Sequence, residues 1–171
     1  SSGTVYYGVM IQLSDATGDG YRGLELHTGS FSDDGANRRL QIVAGGGGTG
    51  APTNHFGVRV NGNGAVGFIG DLGLINTNVN FFIVKVSFSA TAGQDVVSIW
   101  RNPTNLSSEA GSGAAGFTSV PLDFAFDRVS FACFSATGYK ADELRIGSAW
   151  TDVTTPVNNA DTDDDGLLDA Y

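Results

Sequence analysis

The sequence predicts an all-β protein in which two antiparallel sheets pack face to face as a jelly-roll sandwich. Three observations support this prediction. Apolar and polar residues alternate in one short segment after another, which is the pattern of a half-buried strand. Most of these segments are bounded by Gly, Asn, Asp or Pro, residues that favour turns. The composition, with 41% hydrophobic residues and 25 glycines, argues against both disorder and long helices.

The alternation places the strands in order along the chain. Val9, Ile11 and Leu13 share one face of a predicted strand over residues 7–13. The other predicted strands cover residues 23–28, 39–44, 55–60, 82–88, 97–101, 122–126, 128–134 and 143–147. Residues 61–64 and 92–95 carry the turn chemistry of antiparallel connections. Residues 107–116 are expected to form a loop too polar to pack, and no segment predicts an amphipathic helix.

Charge and apolar runs exclude two classes of partner. The formal net charge of −9 would repel nucleic acid over most of the surface. The longest apolar stretch, residues 81–84, is far shorter than the roughly 20 residues that a membrane span needs.

Cys133, the one cysteine, lies in an apolar run and is expected to be buried as a small hydrophobe. The low lysine content, with abundant Gly, Asn, Thr and Ser, favours an exported protein.

The chain changes character after residue 155. We therefore predict a sandwich domain over residues 1–155 and a linker with the start of an acidic repeat over residues 156–171. In the acidic segment Asp161, Asp163 and Asp165 alternate before Gly166, as in the first half of an EF-hand loop. Calcium takes six to eight oxygen ligands, and a glycine turn lets carboxylates converge. The alternative is an acidic tail that is only solvated.

The sandwich resembles the concanavalin A-like, laminin-G-like jelly rolls that occur as modules of large exported bacterial proteins. The resemblance rests on residues 82–86, 97–103 and 141–147 and extends over about residues 5–155. It implies a carbohydrate-binding or adhesion module, although some relatives with this fold are glycoside hydrolases or polysaccharide lyases. It also implies a structural calcium ion near the last strand, for which Asp142 and Glu143 are the candidates; the alternative is an exposed acidic strand end.

The acidic segment resembles the aspartate-rich thrombospondin type 3 repeat. That resemblance implies calcium ligation by four carboxylates and one backbone carbonyl. The carboxylates would be those of Asp161, Asp163, Asp165 and Asp169, and the carbonyl that of Leu167.

Catalytic patterns are incomplete. Glycoside hydrolases need two facing carboxylic acids, which on this fold typically alternate along one strand, and no predicted strand alternates Glu and Asp in this way. Glu25 and His27 share one strand face, where we expect surface decoration rather than an acid/base pair. A lyase of this fold would use Gln, His, Tyr and Arg, but the expected Gln-x-His strand is missing. We therefore predict no enzymatic activity.

Candidate glycan contacts come from two kinds of residue. Some alternate with core positions and should project from the opposite face of their sheet, and others are aromatic residues that could stack on sugars. These candidates are His27, Gln41, Arg59, Trp100, Trp150 and Tyr139. For the aromatic residues the alternative is a partly buried packing role. An anionic polysaccharide would be favoured if several arginines cluster, among Arg22, Arg38, Arg39, Arg59 and Arg101.

The sequence thus predicts a calcium-stabilised extracellular or cell-surface module that binds a glycan or mediates adhesion beside neighbouring domains. One alternative is a structural unit that assembles with copies of itself into a surface layer or filament. Another is a polysaccharide lyase or hydrolase, which the missing carboxylate pattern disfavours.

Overall fold

Alternating apolar and polar residues form strands at most of the predicted positions. The computed structural model describes residues 2–18, 21–29, 37–45, 49–62, 67–134 and 137–155. The strands within them are β1 (Gly3–Leu13), β2 (Arg22–His27), β3 (Arg38–Ala44), β4 (His55–Val60), β5 (Phe68–Leu74), β6 (Val79–Phe88), β7 (Val96–Arg101), β8 (Phe117–Thr118), β9 (Arg128–Cys133) and β10 (Tyr139–Gly147). A 3-10 helix spans Ala110–Ser112, and a short helix, α1, spans Trp150–Thr154.

The strands form two five-stranded antiparallel sheets, which confirms the predicted fold class. Sheet 1 has the order β10-β1-β6-β7-β8, and sheet 2 has the order β5-β4-β3-β2-β9. The edges β5 and β8 meet on one side of the sandwich, because Phe117 of β8 packs directly over Gly70 of β5. The finer expectation of jelly-roll connections stays a prediction.

The core lies between the inner faces of the two sheets. It consists of the apolar residues that alternate along each central strand, so the period-two pattern of the sequence becomes one continuous apolar layer. Phe56 of sheet 2 and Phe82 of sheet 1 meet edge to face across this layer, with ring centroids 5.1 Å apart. Both rings are fully buried.

A second apolar cluster covers the outer face of sheet 1. Its buried members are Tyr6, Met10, Phe81, Ile83, Trp100, Trp150 and Val153. Helix α1 brings Trp150 and Val153 onto the strands, and Gly8 of β1 permits this approach because a Cβ atom there would lie 2.8 Å from the Val153 carbonyl oxygen. The two sheets therefore differ: an apolar layer seals the outer face of sheet 1, whereas the outer face of sheet 2 carries polar residues.

Two strands were not predicted. β5 has Gly70, Asp71 and Gly73 inside it, and such residues normally argue against a strand. Tertiary packing overrides this propensity, because the ring of Phe117 occupies the space that a side chain at position 70 would need. β8 is only two residues long and carries no periodic pattern.

The strand predicted over residues 122–126 is wrong. Only Leu122 forms a strand-like bridge, and its partner is Asp95. The Asp95 carboxylate then accepts the Phe124 N–H at 2.9 Å, so a side chain takes the place of a neighbouring strand. The loop over residues 107–116 also differs from its prediction, because it packs on sheet 1. The Lys85 Nζ atom forms an ion pair with Glu109 Oε1 at 2.6 Å, and Ala115 packs against the second apolar cluster.

Three further expectations have definite outcomes in the fold. Cys133 is exposed rather than buried, because β9 is an edge strand and Cys133 is its last residue. Helix α1, which the sequence did not predict, has only five residues. The part of the chain that the structure describes contains no helix with the length and apolarity of a membrane span. The predicted linker and acidic repeat, residues 156–171, lie outside the described residues.

Candidate functional site

The polar outer face of sheet 2 is arranged in rows that cross the strands. The row in the middle of the sheet, called the central row here, runs through Ser130 of β9, Glu25 of β2, Gln41 of β3, Arg59 of β4 and Ile69 of β5. These residues face outward because their neighbours along each strand supply the core. The sequence prediction that Gln41 and Arg59 project from the same face is consistent with this register.

Glu25 is the centre of a hydrogen-bonded network in the central row. Its Oε1 atom accepts hydrogen bonds from the hydroxyl of Tyr21 and from Gln41 Nε2, the latter at 3.1 Å. Arg38 Nε lies 2.9 Å from the same oxygen in an ion pair. Gln41 also donates to the Tyr21 hydroxyl. Three side chains therefore converge on one carboxylate, one from the residue before β2 and two from β3. Such a network fixes the positions of its members.

His27 extends this network to the edge strand. Its Nε2 atom lies 3.1 Å from Glu25 Oε2 and 3.0 Å from the Ser130 hydroxyl. Glu25, His27 and Gln41 are only 4%, 2% and 1% exposed. The expectation that Glu25 and His27 decorate the surface is therefore wrong. Because His27 and Gln41 are covered, a ligand would meet the residues above them, and these two act as support.

The surface above the network is formed by three residues, of which sequence reasoning named only Arg38, among the arginines. Tyr21, Arg38 and Phe134, called the Tyr21 platform here, pack together: the Phe134 ring lies 5.7 Å from the Tyr21 ring, and the Arg38 guanidinium lies 5.7 Å from the centre of that same ring. Phe134 is 65% exposed. The backbone holds the pair, since the Phe134 N–H donates to the Tyr21 carbonyl at 2.7 Å.

A β-bulge brings Arg38 to this face. Leu26 pairs with Leu40, but His27 pairs with Arg38, so β3 contains one extra residue at this point. Strict alternation would place Arg38 on the inner side with Leu40. The bulge reverses its direction and lets it reach Glu25. A break in alternation cannot be identified as a bulge from sequence alone, so the sequence could not place Arg38 on this face.

None of the three predicted aromatic contacts, Trp100, Trp150 and Tyr139, belongs to this face. Trp100 and Trp150 are buried against each other on the outer face of sheet 1, edge to face, with ring centroids 5.2 Å apart. Their N–H groups donate to the carbonyls of Gly113 and Leu106. Tyr139 packs against the core, and burial raises the pKa of its hydroxyl. These rings have the packing role that was the alternative interpretation.

The predicted calcium ligands Asp142 and Glu143 lie at an irregularity in β10. Glu143 has a left-handed backbone, with φ of 53°, and its N–H donates to Asp142 Oδ1 at 2.7 Å. The Glu143 carboxylate is ion-paired with Arg145. Calcium binding by Asp142 and Glu143 stays a prediction.

The other predicted calcium ligands are not part of the described structure. Asp161, Asp163, Asp165, Leu167 and Asp169 lie outside the described residues, and calcium binding by them stays a prediction. Residues 2–155, with the gaps given above, contain no group of three or more His, Cys, Asp or Glu side chains placed to share a metal.

A polar pair marks the far edge of the same face. His55 Nδ1 lies 2.7 Å from Asp71 Oδ2, and Asp71 also accepts the Gly73 N–H. The Gly73 and His55 hydrogen bonds lower the pKa of the Asp71 carboxyl. Cavities of about 510 Å³ and 370 Å³ lie on the two sides of Asp71. Trp100 is one of the residues that line the larger cavity, although its side chain is mostly buried.

The chain matches no protein-family model, and no curated protein matches it significantly.

Proposed function

We propose that this chain is a non-catalytic, extracellular module that binds glycan through the outer face of sheet 2. The observation that carries the proposal is the Tyr21 platform, an exposed aromatic surface with a guanidinium beside it. Sugar rings stack their C–H faces on aromatic side chains, and planar hydrogen-bonding groups select their hydroxyls. Arg59 and Ser130 supply further polar groups in the adjoining central row.

The buried network supports this proposal because it fixes the platform before any ligand arrives. The Tyr21 hydroxyl is held by Glu25 and Gln41, so the ring cannot turn away without breaking both hydrogen bonds. Arg38 is held by the same carboxylate. A rigid binding surface loses little conformational entropy when a ligand binds.

The same network supports a non-catalytic role. A glycoside hydrolase needs two carboxyl groups about 5–10 Å apart across the substrate. The central row contains one carboxylate among its described residues, and three protein groups already engage its Oε1 atom. Incubation of the protein with a polysaccharide panel should release no oligosaccharide. Release that the substitution His27→Ala abolishes would instead assign lyase or hydrolase activity.

Binding can be tested by a glycan array followed by titration calorimetry of the strongest ligand. Tyr21→Ala and Phe134→Ala should each weaken binding about tenfold, which corresponds to about 1.4 kcal/mol for a lost stacking contact. Phe131→Ala is the matched control, since Phe131 is also an exposed aromatic of β9 but points to the opposite side of sheet 2. Equal loss in all three variants, or no ligand for the folded protein, would contradict the proposal.

Calcium stabilisation is a separate part of the proposal and rests on the acidic segment. The alternating Asp161, Asp163 and Asp165 before a glycine have the ligand chemistry that calcium prefers. Calcium should raise the melting temperature of the full chain, and Asp163→Asn should reduce that shift. An unchanged melting temperature in excess calcium would remove calcium from the proposal without affecting the glycan test.

One observation favours self-assembly as a second candidate. Exposed apolar residues line the β9 and β10 edges, namely Phe131, Leu144 and Ile146. Exposed edge strands can pair with another copy of the chain. Sedimentation velocity over a range of protein concentrations tests this candidate. A single monomeric species at all concentrations would exclude it, whereas assembly that Ile146→Lys abolishes would favour it over glycan binding.

A further inference from the structure

The larger cavity beside Asp71 lies at the edge of sheet 2 and is separate from the Tyr21 platform. Its edge strand, β5, is three strands away from β2, which follows Tyr21 in the chain. Three parts of the chain line it: β5, the end of β7 with the residues that follow, and the loop before β8. Its volume of about 510 Å³ is within the range of about 300–1,000 Å³ that is usual for small-molecule sites. The cavity is therefore large enough for one small ligand.

Asp71 supplies an ionised acceptor to this cavity. Its Oδ1 atom accepts the Gly73 N–H at 2.7 Å, and His55 Nδ1 lies 2.7 Å from its Oδ2 atom. These hydrogen bonds lower the pKa of the Asp71 carboxyl, so the group is ionised near neutral pH. The Asp71 side chain is 43% exposed, and the two partners do not fill the roughly four lone-pair sites of a carboxylate. A ligand hydroxyl can therefore donate to Asp71.

Arg101 supplies a donor that the protein holds in place. Its Nη1 atom donates to the Leu72 carbonyl and its Nη2 atom to the Leu74 carbonyl, both at 2.8 Å. Its Nε and Nη2 atoms also donate to Asn80 Oδ1, and the guanidinium lies 4.6 Å from the centre of the Phe56 ring. These contacts use four of the five N–H groups of a guanidinium, and no acceptor in the described parts of the chain takes the fifth, which is on Nη1.

Two further polar residues line the cavity. Asn102 has a left-handed backbone, with φ of 50°, and its Oδ1 atom accepts the Phe81 N–H at 2.8 Å. Residues held in such conformations recur at ligand-binding sites, where the surrounding structure compensates for the strain. Thr104 contributes a hydroxyl, which can both donate and accept. Trp100 and Pro103 add apolar surface, so the lining combines donors, acceptors and apolar groups.

The charges of the lining favour a neutral ligand. Of the described residues that line the cavity, only Asp71 and Arg101 are charged, and their charges cancel. An anion would be repelled by the Asp71 carboxylate and a cation by the Arg101 guanidinium, so an ion of either sign gains little. A sugar ring has hydroxyls that donate and accept, and C–H groups that contact apolar surface. The lining therefore suits an uncharged sugar.

We infer that this cavity is a second saccharide site, which binds one neutral sugar unit through Asp71, Arg101 and Asn102. The inference goes beyond the proposed function, because it uses none of the residues of the Tyr21 platform. Two separate sites would let one copy of the chain contact a polysaccharide at two positions. Two weak contacts with one polymer bind more tightly than either contact alone.

The test is an NMR titration of the isotope-labelled full chain with single sugars. The neutral probes are glucose, galactose, mannose and N-acetylglucosamine, and the charged probes are glucuronate and glucosamine. At least one neutral probe should shift the amide signals of residues 71–72 and 100–104 in a saturable way. The dissociation constant should be in the millimolar range, as expected for a ligand of about twelve non-hydrogen atoms. The charged probes should bind no more tightly than the strongest neutral one.

Variants connect this binding to the cavity. Asp71→Asn replaces a charged acceptor by a neutral one and should weaken binding about fivefold. Thr104→Val removes one exposed hydroxyl and should weaken it about threefold, and circular dichroism establishes that both variants are folded. Asp123→Asn is the matched control, because Asp123 is an exposed carboxylate that does not belong to this lining. Tyr21→Ala should leave the binding unchanged.

The outcomes separate this inference from the proposed function. If no neutral probe shifts the signals of the cavity residues, the inference is wrong and the glycan test of the Tyr21 platform is unaffected. Tighter binding of glucuronate or glucosamine there would also overturn it, as would an equal loss in Asp71→Asn and Asp123→Asn. Shifts that Tyr21→Ala abolishes would show that the sites are not separate. Saturable shifts that persist in Tyr21→Ala support the inference, even where the platform itself binds no glycan.

Discussion

Replacing Tyr21 by phenylalanine tests whether the buried network fixes the binding surface. The substitution keeps the ring but removes the hydroxyl, which donates to the Glu25 carboxylate and accepts from Gln41. A hydrogen bond to a charged group contributes about 1.5–3 kcal/mol, and one between neutral groups about 0.5–1.5 kcal/mol. Tyr21 is partly exposed, so water can replace some of this loss. We expect the free energy of unfolding to fall by about 1–3 kcal/mol.

Urea denaturation followed by tryptophan fluorescence measures this change. Trp100 lies in the other sheet and Trp150 in helix α1, which packs on that sheet, so their signal reports unfolding of the whole sandwich rather than a local change. Gln41→Leu completes a double-mutant cycle. Because Tyr21 and Gln41 share Glu25 as a partner, the double variant should lose at least about 0.5 kcal/mol less than the sum of the two single losses.

Two results would refute this reasoning. If Tyr21→Phe changes the free energy of unfolding by less than about 0.5 kcal/mol, the hydroxyl does not hold the network. If the losses from Tyr21→Phe and Gln41→Leu are additive, the two side chains do not act together. In glycan binding, Tyr21→Phe should cost less affinity than Tyr21→Ala, since only the latter removes the stacking surface.

Three further predictions concern the rest of the sandwich. Burial raises the pKa of Glu109, but hydrogen bonds, foremost from Lys85, outweigh burial and lower it overall. The Lys85–Glu109 pair should therefore stabilise the fold fully above the ordinary pKa of 4.5, and this stabilisation should be lost as pH falls through the lowered pKa. In urea unfolding at a series of pH values, the free energy of unfolding of Lys85→Met should fall less with acidification than that of the unsubstituted protein. Phe56→Ala should cost about 3–5 kcal/mol by denaturant unfolding, and a loss below about 1 kcal/mol would contradict its core position. Gly8→Ala should displace α1, because its Cβ would lie 2.8 Å from the Val153 carbonyl oxygen, and should shift tryptophan fluorescence to longer wavelength.

Period-two alternation predicted the fold because the large apolar residues of the central strands lie on one side of their sheet. Along β2, β3 and β4 the core residues recur at every second position, so a sequence pattern was sufficient to locate these strands. β5 has glycines where alternation requires side chains, and its pairing depends on β4 and on Phe117. That information comes from tertiary contacts and not from local sequence.

The candidate site was only partly predictable for the same reason. Alternation correctly gave Gln41 and Arg59 an outward direction on neighbouring strands, since direction is a local property. Their burial depends on what covers them, and Tyr21 and Arg38 reach the network from a loop end and a bulge. Trp100 was a candidate for glycan contact because alternation directs it outward from its strand. That direction is correct, but α1 covers the side chain, which alternation cannot predict.

The position of β1 has a consequence for how the chain folds. β1 lies between β6 and β10, and its residues pair with residues 67 to 85 positions away in β6 and 126 to 141 positions away in β10. β2 likewise lies between β3 and β9. Neither sheet can be completed until the strands near residue 140 have been synthesised, and such non-local pairing makes folding slow, on the millisecond-to-second scale. A nascent chain that lacks β9 and β10 would have both sheets incomplete, so folding should follow synthesis of the whole sandwich rather than accompany it.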